Sequence, residues 1–319
     1  MVSFIQIEPT TRCNFKCIFC AGRHYNQGDL SCEGLNKILD IFTNLKHVQL
    51  QGEGEPLLNP NFFEMLNMLR QKNISVSFVT NGSHFSSKNI SGILEYSDVI
   101  KAIMVSIDTL DPEQFKLIRT GDLHKITEGL ETLLEARKKS NKDIPPIGLT
   151  ATVLKSTMKN KNEVAAYYKK LGLNAGVVFQ PLQKMDSYII HYDDSVEDEI
   201  LDASELEELN LFHKNEELMA LNRKSFINTS FYGELINGWE PEKKQCYWLE
   251  KGLFINYEGN VTPCCSIKPE TGFSLGNIYF DSYDTIINNR KIIADHFLKG
   301  LIPNCCNNCP TAKKAVYGG

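Results

Sequence analysis

The chain has 319 residues, of which 42% are hydrophobic and 23% charged, and its formal net charge is −5. This composition is typical of a globular protein with a core, and the acidic balance argues against binding to nucleic-acid phosphates. No apolar run reaches the roughly 18 residues that span a membrane, and the first residues lack a secretory signal. We therefore expect a cytoplasmic protein without nucleic-acid or membrane partners.

Six β-rich runs alternate with helical patterns in the first part of the chain. The predicted strands cover residues 4–10, 47–52, 74–80, 102–108, 147–154 and 175–182. The predicted helices cover residues 35–42, 62–70, 88–96, 112–118, 126–139 and 162–170. This alternation favours a parallel sheet with right-handed crossovers. Six units are two short of a closed barrel, so we predict an α/β fold with a partial, open (β/α)6 TIM-like barrel.

The rest of the chain changes character twice. Residues 186–245 are acidic and helix-prone, which predicts a solvated helical connector. Residues 246–319 form a cysteine-rich segment of short strands, with a β-hairpin predicted to turn at Glu258, Gly259 and Asn260. We thus predict three parts: a barrel core over 1–185, the connector over 186–245, and a small C-terminal domain over 246–319.

Ten cysteines fall into two separate groups near the ends of the chain. They are Cys13, Cys17, Cys20 and Cys32, followed by Cys246, Cys264, Cys265, Cys305, Cys306 and Cys309. Disulfides are rare in a reducing compartment, so this distribution predicts two metal sites.

The first group lies in the segment EPTTRCNFKCIFCAG, directly after the first predicted strand. In β/α folds the carboxyl ends of the strands carry the active site. Structural zinc and 4Fe–4S clusters are normally held by four protein ligands. Three thiolates at Cys13, Cys17 and Cys20 would leave one metal position open, which favours a reactive site; zinc is the alternative.

The C-x3-C-x2-C spacing, with Phe19 before the third cysteine, resembles the radical S-adenosylmethionine (radical SAM) enzymes. The resemblance implies a 4Fe–4S cluster on Cys13, Cys17 and Cys20 whose open iron binds SAM. In such enzymes reductive cleavage of SAM gives a 5′-deoxyadenosyl radical, which abstracts hydrogen from a substrate.

Further motifs at the ends of successive strands resemble the same family. Gly54-Glu55-Pro56 is similar to its GGEP element, with Glu53 replacing the first glycine, and FVTNG follows the third strand. The implied SAM-binding residues are Phe19, Gly54, Glu55, Thr80, Asn81, Ser106, Arg119 and Leu154. Ser106 and Arg119 are expected to contact the SAM carboxylate, because the guanidinium can bind a carboxylate through two hydrogen bonds.

The second cysteine group resembles the SPASM/Twitch extension of radical SAM enzymes. Its shared pattern runs from Cys246 through Gly259 to Cys264, and a Cys306-x2-Cys309 pair follows. The resemblance to the shorter Twitch form implies one auxiliary 4Fe–4S cluster on Cys246, Cys264, Cys306 and Cys309, and so two clusters in all. A zinc site is the alternative, and the doublets 264–265 and 305–306 leave the ligand register open.

Three thiols remain without a ligand role: Cys32, Cys265 and Cys305. We single out Cys265 as a candidate catalytic hydrogen-atom donor, because a thiol beside the auxiliary cluster can quench a carbon radical. A buried cysteine that serves only as a small apolar residue is the alternative.

The resemblance leaves three reactions open. The first is oxidation by a dehydrogenase that passes an electron to the auxiliary cluster. The second is redox-neutral epimerisation of a sugar or peptide carbon, with Cys265 as donor. The third is crosslinking of a ribosomal peptide.

The expected partners are a small-molecule or peptide substrate and an electron donor such as flavodoxin or ferredoxin. The few residues before the first strand favour a small substrate, such as a sugar or aminocyclitol. A non-enzymatic iron–sulfur or zinc scaffold is a further alternative, which would have no use for the SAM-binding motifs.

Overall fold

The computed structural model describes residues 2–140, 143–223 and 246–317. Its centre is a nine-stranded sheet in the order β6-β5-β4-β3-β2-β1-β7-β8-β9. The strands are β1 (Phe4–Ile7), β2 (His47–Leu50), β3 (Ser75–Thr80), β4 (Ile100–Ser106), β5 (Ile147–Val153), β6 (Gly176–Pro181), β7 (Phe254–Ile255), β8 (Asn260–Thr262) and β9 (Gly276–Asn277).

The first six strands lie in chain order, and each pairs in parallel with the next. This confirms the predicted partial, open TIM-like barrel. Residues of β1 and β4 are almost all buried, as expected for parallel strands covered on both faces. The carboxyl ends of all six strands therefore meet at one edge, where their following loops can build a site.

The helices surround this sheet. They are α1 (Cys32–Ile41), α2 (Phe62–Gln71), α3 (Ser87–Glu95), α4 (Pro112–Arg119), α5 (Leu123–Lys139), α6 (Lys161–Lys170), α7 (Asp186–Ile189), α8 (Asp194–Glu197), α9 (Ala203–His213), α10 (Glu216–Asn222), α11 (Tyr247–Lys251), α12 (Tyr283–Leu298) and α13 (Pro310–Tyr317). Within the described ranges, none of them combines the length and hydrophobicity of a membrane span.

Helix α2 shows why these segments are helical. Phe62, Met65, Leu66 and Leu69 are buried, at the spacing that places apolar side chains on one face of a helix. Apolar burial of this kind stabilises by about 25 cal/mol per Å² removed from water. Helix α2 thus covers one face of the barrel sheet.

Over its described residues, 186–223, the connector consists of several short helices rather than one long solvated helix. Leu209 of α9 and Leu218 of α10 are buried, and the Phe212 ring lies 5.2 Å from that of Phe179 on β6. The connector therefore packs on the last barrel strand. Its predicted portion over 224–245 lies outside the described residues.

The predicted hairpin is present as the antiparallel pair β7–β8. Its turn runs from Asn256 to Gly259, which has a positive φ of 83°, so Asn260 begins the second strand instead of belonging to the turn. Glycine adopts this left-handed conformation without steric penalty. Strand β7 also pairs in parallel with β1, which the sequence pattern did not indicate. The C-terminal segment thereby extends the barrel sheet.

Candidate active site

A cavity of about 250 Å³ opens at the carboxyl ends of the barrel strands. Its walls include Cys13, Cys17 and Cys20, which follow β1 as predicted. The walls also include Cys265 and Ser266 from the C-terminal segment. The site is thus shared between the barrel and the cysteine-rich segment.

The first three cysteines are suited to hold a metal cluster. Burial raises the pKa of each thiol, that of Cys13 to about 11. Buried thiolates therefore need a strong electrostatic partner, and thiolate–metal bonds supply one. The donor set of three sulfurs in one loop fits a cluster with one iron left for another ligand.

Seven of the eight predicted SAM-binding residues line this cavity: Phe19, Gly54, Glu55, Thr80, Asn81, Ser106 and Arg119. Leu154 is not among the lining residues. It is fully buried in an apolar cluster with Ile118, Leu182 and Val196, because it follows β5 on the side that faces the core. Its contact with SAM stays a prediction, and the structure gives its side chain a packing role.

Gly54 brings two loops into close contact. A Cβ atom at this position would lie 2.2 Å from the carbonyl oxygen of Thr10 and 2.8 Å from that of Arg12. The Glu55 N–H donates to the Arg12 carbonyl at 2.9 Å. The loop after β2 is therefore fastened to the cysteine loop at a point where only glycine fits.

Glu55 joins the loops after β2 and β3. Its carboxylate accepts hydrogen bonds from the Thr80 hydroxyl at 2.8 Å and from the Asn81 N–H at 2.7 Å. Burial raises the pKa of Glu55 from 4.5 to about 7, and these hydrogen bonds oppose the rise. Glu55 thus fixes the position of Asn81, whose amide lies 3.8 Å from the Cys13 sulfur.

Arg119 is buried and held by Asp108. Its Nη2 donates to Asp108 Oδ1 at 2.8 Å, its Nε donates to the other carboxylate oxygen, and its guanidinium lies 5.3 Å from the centre of the Phe19 ring. The remaining Nη1 lies 4.0 Å from the Cys17 sulfur. Asp108 therefore accepts the two hydrogen bonds that Arg119 can donate side by side from Nε and Nη2. We expect a SAM carboxylate to contact the remaining Nη1.

Glu53, Tyr188 and Lys268 form a group that was not predicted from the sequence, and we call it the seam cluster. Lys268 Nζ lies 2.6 Å from Glu53 Oε1, and the Tyr188 hydroxyl donates to the same oxygen at 3.1 Å. The three residues come from the barrel, the connector and the C-terminal segment. The replacement of glycine by Glu53 in the GGEP-like element was the one available signal, whereas Lys268 lies in no recognisable motif.

The structure separates the two adjacent cysteines 264 and 265. After burial, which is the largest cause, the charges of Cys265, Cys246 and Cys309 raise the pKa of Cys264. Cys265 instead lines the cavity. The thiol of Cys264 therefore lies near those of Cys246 and Cys309, and its role as a cluster ligand stays a prediction.

Cys306 belongs to the same group as Cys264. The contact with the Cys305 thiol, at a sulfur–sulfur distance of 3.9 Å, and burial are the main causes that raise the pKa of Cys306, and the charges of Cys264 and Cys246 add to the rise. We call Cys246, Cys264, Cys306 and Cys309 the auxiliary cysteines.

Across the described ranges, no three His, Cys, Asp or Glu side chains are placed to hold one metal ion. A mononuclear zinc site would need four ligands within about 2.3 Å of one point. In an iron–sulfur cluster each thiolate binds a different iron, so the sulfurs lie farther apart.

Two family models match the chain. Residues 7–153 match the radical SAM superfamily, and residues 246–310 match SPASM, an iron–sulfur cluster-binding domain. The match to the radical SAM superfamily implies SAM and a 4Fe–4S cluster as cofactors, and the match to SPASM indicates additional iron–sulfur cluster binding.

Curated relatives share part of the chain. A tungsten-containing aldehyde ferredoxin oxidoreductase cofactor-modifying protein from Pyrococcus furiosus is 28% identical over 61% of this chain, which spans 57% of that relative. A probable GTP 3′,8-cyclase from Methanococcus aeolicus is 27% identical over 82% of this chain and 85% of its own length. A GTP 3′,8-cyclase from Rhizobium leguminosarum is 31% identical, but over 42% of this chain and 41% of its own.

Solved structures share the fold. The enzyme anSMEcpe with bound AdoMet and the Cp18Cys peptide has a TM-score of 0.68 and 20% identity, and the match covers 100% of this chain and 89% of that one. Streptococcus suis SuiB bound to its precursor peptide SuiA has a TM-score of 0.67 and 15% identity, with 90% and 65% coverage.

Proposed function

We propose, from the premise that this chain is a radical SAM enzyme with a SPASM domain, that it transfers hydrogen at a C–H bond of a peptide substrate. When bound, the cluster and SAM supply a 5′-deoxyadenosyl radical, which takes a hydrogen atom from carbon. We assign the cluster to Cys13, Cys17 and Cys20, and SAM to the surrounding loops. Gly54 and Glu55 hold these loops together, and Asp108 orients Arg119 toward the sulfur of Cys17.

The single observation that carries the reaction type is the placement of Cys265. Its thiol lines the same cavity as Cys20, whereas the thiol of its neighbour Cys264 lies near those of Cys246 and Cys309. We propose that Cys265 donates a hydrogen atom to the substrate radical, from the opposite side to the abstraction. The substrate is epimerised without net oxidation. The thiyl radical left on Cys265 is restored to a thiol by one proton from solvent and one electron from the auxiliary cluster or an external iron–sulfur or flavin donor.

Oxidation is the second candidate, and one observation favours it. Cys264 and Cys265 are consecutive, so their Cα atoms lie about 3.8 Å apart. A cluster on the auxiliary cysteines would thus lie within one residue of the cavity wall, which is a short path for an electron. In this reaction the substrate loses a second electron and a proton instead of regaining hydrogen.

The charges of the cavity favour an uncharged substrate over a nucleoside triphosphate. Of the described lining residues, Arg119 is the one with a cationic side chain, and Asp108 already holds it. Phosphate groups are bound through Arg and Lys hydrogen bonds that this wall does not offer. Gln183, Thr150 and Ser266 instead offer amide and hydroxyl groups. Two of the solved structures with this fold hold peptides, which supports a peptide as the substrate.

Deuterium transfer tests the role of Cys265 without knowledge of the substrate. The protein is reconstituted anaerobically in D2O and given SAM and dithionite, and the 5′-deoxyadenosine formed is analysed by mass spectrometry. Thiol hydrogens exchange with solvent. With no substrate present, a 5′-deoxyadenosyl radical that Cys265 quenches therefore acquires one deuterium, which shows that this thiol can donate to a radical in the cavity. We expect deuterated 5′-deoxyadenosine from the wild type and loss of the deuterium in Cys265→Ala. Cys32→Ala, which alters a thiol outside the cavity lining, is expected to behave like the wild type.

Equal labelling in Cys265→Ala and in the wild type would remove Cys265 as the donor. Absence of 5′-deoxyadenosine from every variant would contradict the radical SAM assignment itself. With GTP as a probe, we expect no binding in equilibrium dialysis, and saturable binding would contradict the uncharged-substrate proposal.

A further inference from the structure

The seam cluster joins three parts of the chain beside the predicted SAM cluster. Glu53 follows β2, Tyr188 lies on α7, and Lys268 follows the two adjacent cysteines of the SPASM domain. The Ser187 hydroxyl donates to the Ser266 carbonyl at 2.7 Å, which fastens α7 to the Cys265 loop. The position of Lys268 is therefore determined by how the SPASM domain docks on the barrel.

Both members of the ion pair are shielded from water. The side chain of Lys268 is 4% exposed and that of Glu53 is 10% exposed, and their charged atoms are 2.6 Å apart. The Lys268 ammonium also lies 5.1 Å from the centre of the Phe254 ring and 5.3 Å from that of Tyr188, at the range of cation–π attraction. A buried charge of either sign is strongly destabilised without its partner.

Glu53 is also a neighbour of a predicted cluster ligand. Its second carboxylate oxygen lies 3.3 Å from the Cys20 sulfur, and its backbone carbonyl lies 3.7 Å from the same atom. Once Cys20 binds iron as a thiolate, this carboxylate is a negative charge next to the cluster. The reduction potential of an iron–sulfur cluster depends on the net charge and hydrogen bonding around it.

We propose that Glu53 and Lys268 act as a charge pair that sets the reduction potential of the cluster on Cys13, Cys17 and Cys20. The negative charge of Glu53 disfavours the added electron and lowers the potential. The positive charge of Lys268 opposes this effect. Because Lys268 comes from the SPASM domain, docking of that domain is needed to bring the cluster into its working potential range.

A purely structural ion pair makes a different prediction. If the pair only held the two domains together, loss of either member would loosen the same contact and change the cluster in the same direction. Charge tuning instead requires shifts of opposite sign.

The test is the midpoint potential of the SAM-binding cluster in the reconstituted full-length protein. It is measured by EPR-monitored redox titration, and the SAM-binding cluster is identified by the change of its signal when SAM is added. We expect Glu53→Gln to shift the potential upward and Lys268→Met to shift it downward. The double variant is expected to return close to the wild-type potential.

Lys161→Met is the matched control, because Lys161 forms an equally short 2.6 Å pair with Glu208, away from the cysteines. It is expected to leave the potential unchanged. Unchanged potentials in all seam variants, or shifts of the same sign in the two single variants, would overturn the proposal.

Should Lys268→Met fail to fold, Glu53→Gln alone decides, since an unchanged or lowered potential contradicts charge tuning. The inference rests on the assigned cluster ligands. If the assignment of the cluster ligands is wrong, the reconstituted protein lacks the iron of this cluster. If only the charge-pair proposal is wrong, the iron is present and the midpoint potential of the variants is unshifted.

Discussion

Gly54 lies so close to the cysteine loop that a larger side chain does not fit, and a substitution tests this close approach. In Gly54→Ala the new methyl group would lie 2.2 Å from the Thr10 carbonyl oxygen, so one of the two loops must move. Overpacking of this kind typically destabilises by about 1–3 kcal/mol. We expect a lower free energy of unfolding together with weaker SAM binding, measured by urea unfolding and equilibrium dialysis.

Gly172→Ala separates this effect from the general penalty of replacing a glycine. Gly172 has a positive φ of 62°, and a methyl group added there would have no other atom within 4 Å, so alanine meets only backbone strain, of about 1–2 kcal/mol. We expect it to leave SAM binding intact. Weakened SAM binding in Gly172→Ala, or normal binding in Gly54→Ala, would contradict the close-approach interpretation.

Glu8 makes stability depend on pH. Burial raises its pKa from 4.5 to about 7, more than Lys268 lowers it. The folded protein therefore holds this proton more tightly than the unfolded chain does, so stability falls as pH rises from about 4.5 to about 7. The loss amounts to about 3 kcal/mol at 1.36 kcal/mol per pKa unit.

Glu8→Gln removes this titration. The amide oxygen of the glutamine can still accept the hydrogen bond from the Glu53 N–H, whose nitrogen lies 2.8 Å from Glu8 Oε1. In urea unfolding of the metal-free protein at several pH values, we expect the variant to lose part of the wild-type slope. The remaining slope comes from other shifted groups: the raised pKa values of Glu55 and Glu270 add to the fall, and the lowered pKa values of four histidines oppose it, namely His47, His84, His191 and His213. Identical slopes in the variant and the wild type would contradict this account.

At the scale of elements, helix α4 depends on a local signal at its first turn. The Asp111 side chain accepts from the Glu113 N–H at 3.0 Å and from the Gln114 N–H at 3.2 Å, and Pro112 follows it. Loss of such a cap destabilises by about 1 kcal/mol. We expect Asp111→Ala to lower the free energy of unfolding by this amount, and Asp111→Asn to retain most of it. Equal losses in both variants would argue against the capping role.

The barrel elements were predictable because their causes are local. Alternating β-rich and helical patterns located all six barrel strands, and the helix predicted from residue 112 begins there in the structure, where Asp111 caps α4. The pairing of β7 with β1 was not predictable, because two short strands far apart in the chain carry no pattern that specifies each other. The same holds for α9 and α10 of the connector, which pack on β6 through the Phe212 ring against Phe179 and through the hydrogen bond that Asn222 accepts from the Val177 N–H.

At the scale of the whole molecule, the sequence predicted many residues of the cavity wall but not the seam cluster. The first three cysteines and seven of the predicted SAM-binding residues meet at one cavity because the strand ends and the segments after them lie at the carboxyl edge of one parallel sheet. Lys268 and Tyr188 join the seam cluster only through domain docking, so no spacing in the sequence points to them. The burial of Leu154 was unpredictable for a related reason, since which side of a strand end faces a cavity depends on tertiary packing.

The number of metal sites is the remaining property of the whole molecule, and metal analysis measures it. Two 4Fe–4S clusters predict roughly eight irons per reconstituted wild-type chain, and negligible zinc. Replacing Cys13, Cys17 and Cys20 by alanine, or Cys246, Cys264 and Cys309, should leave roughly four irons in either case. Because Cys265 and Cys305 lie outside both ligand sets, Cys265→Ala and Cys305→Ala should retain the full iron content. Stoichiometric zinc would make the auxiliary site structural, and roughly twelve irons would indicate a second auxiliary cluster.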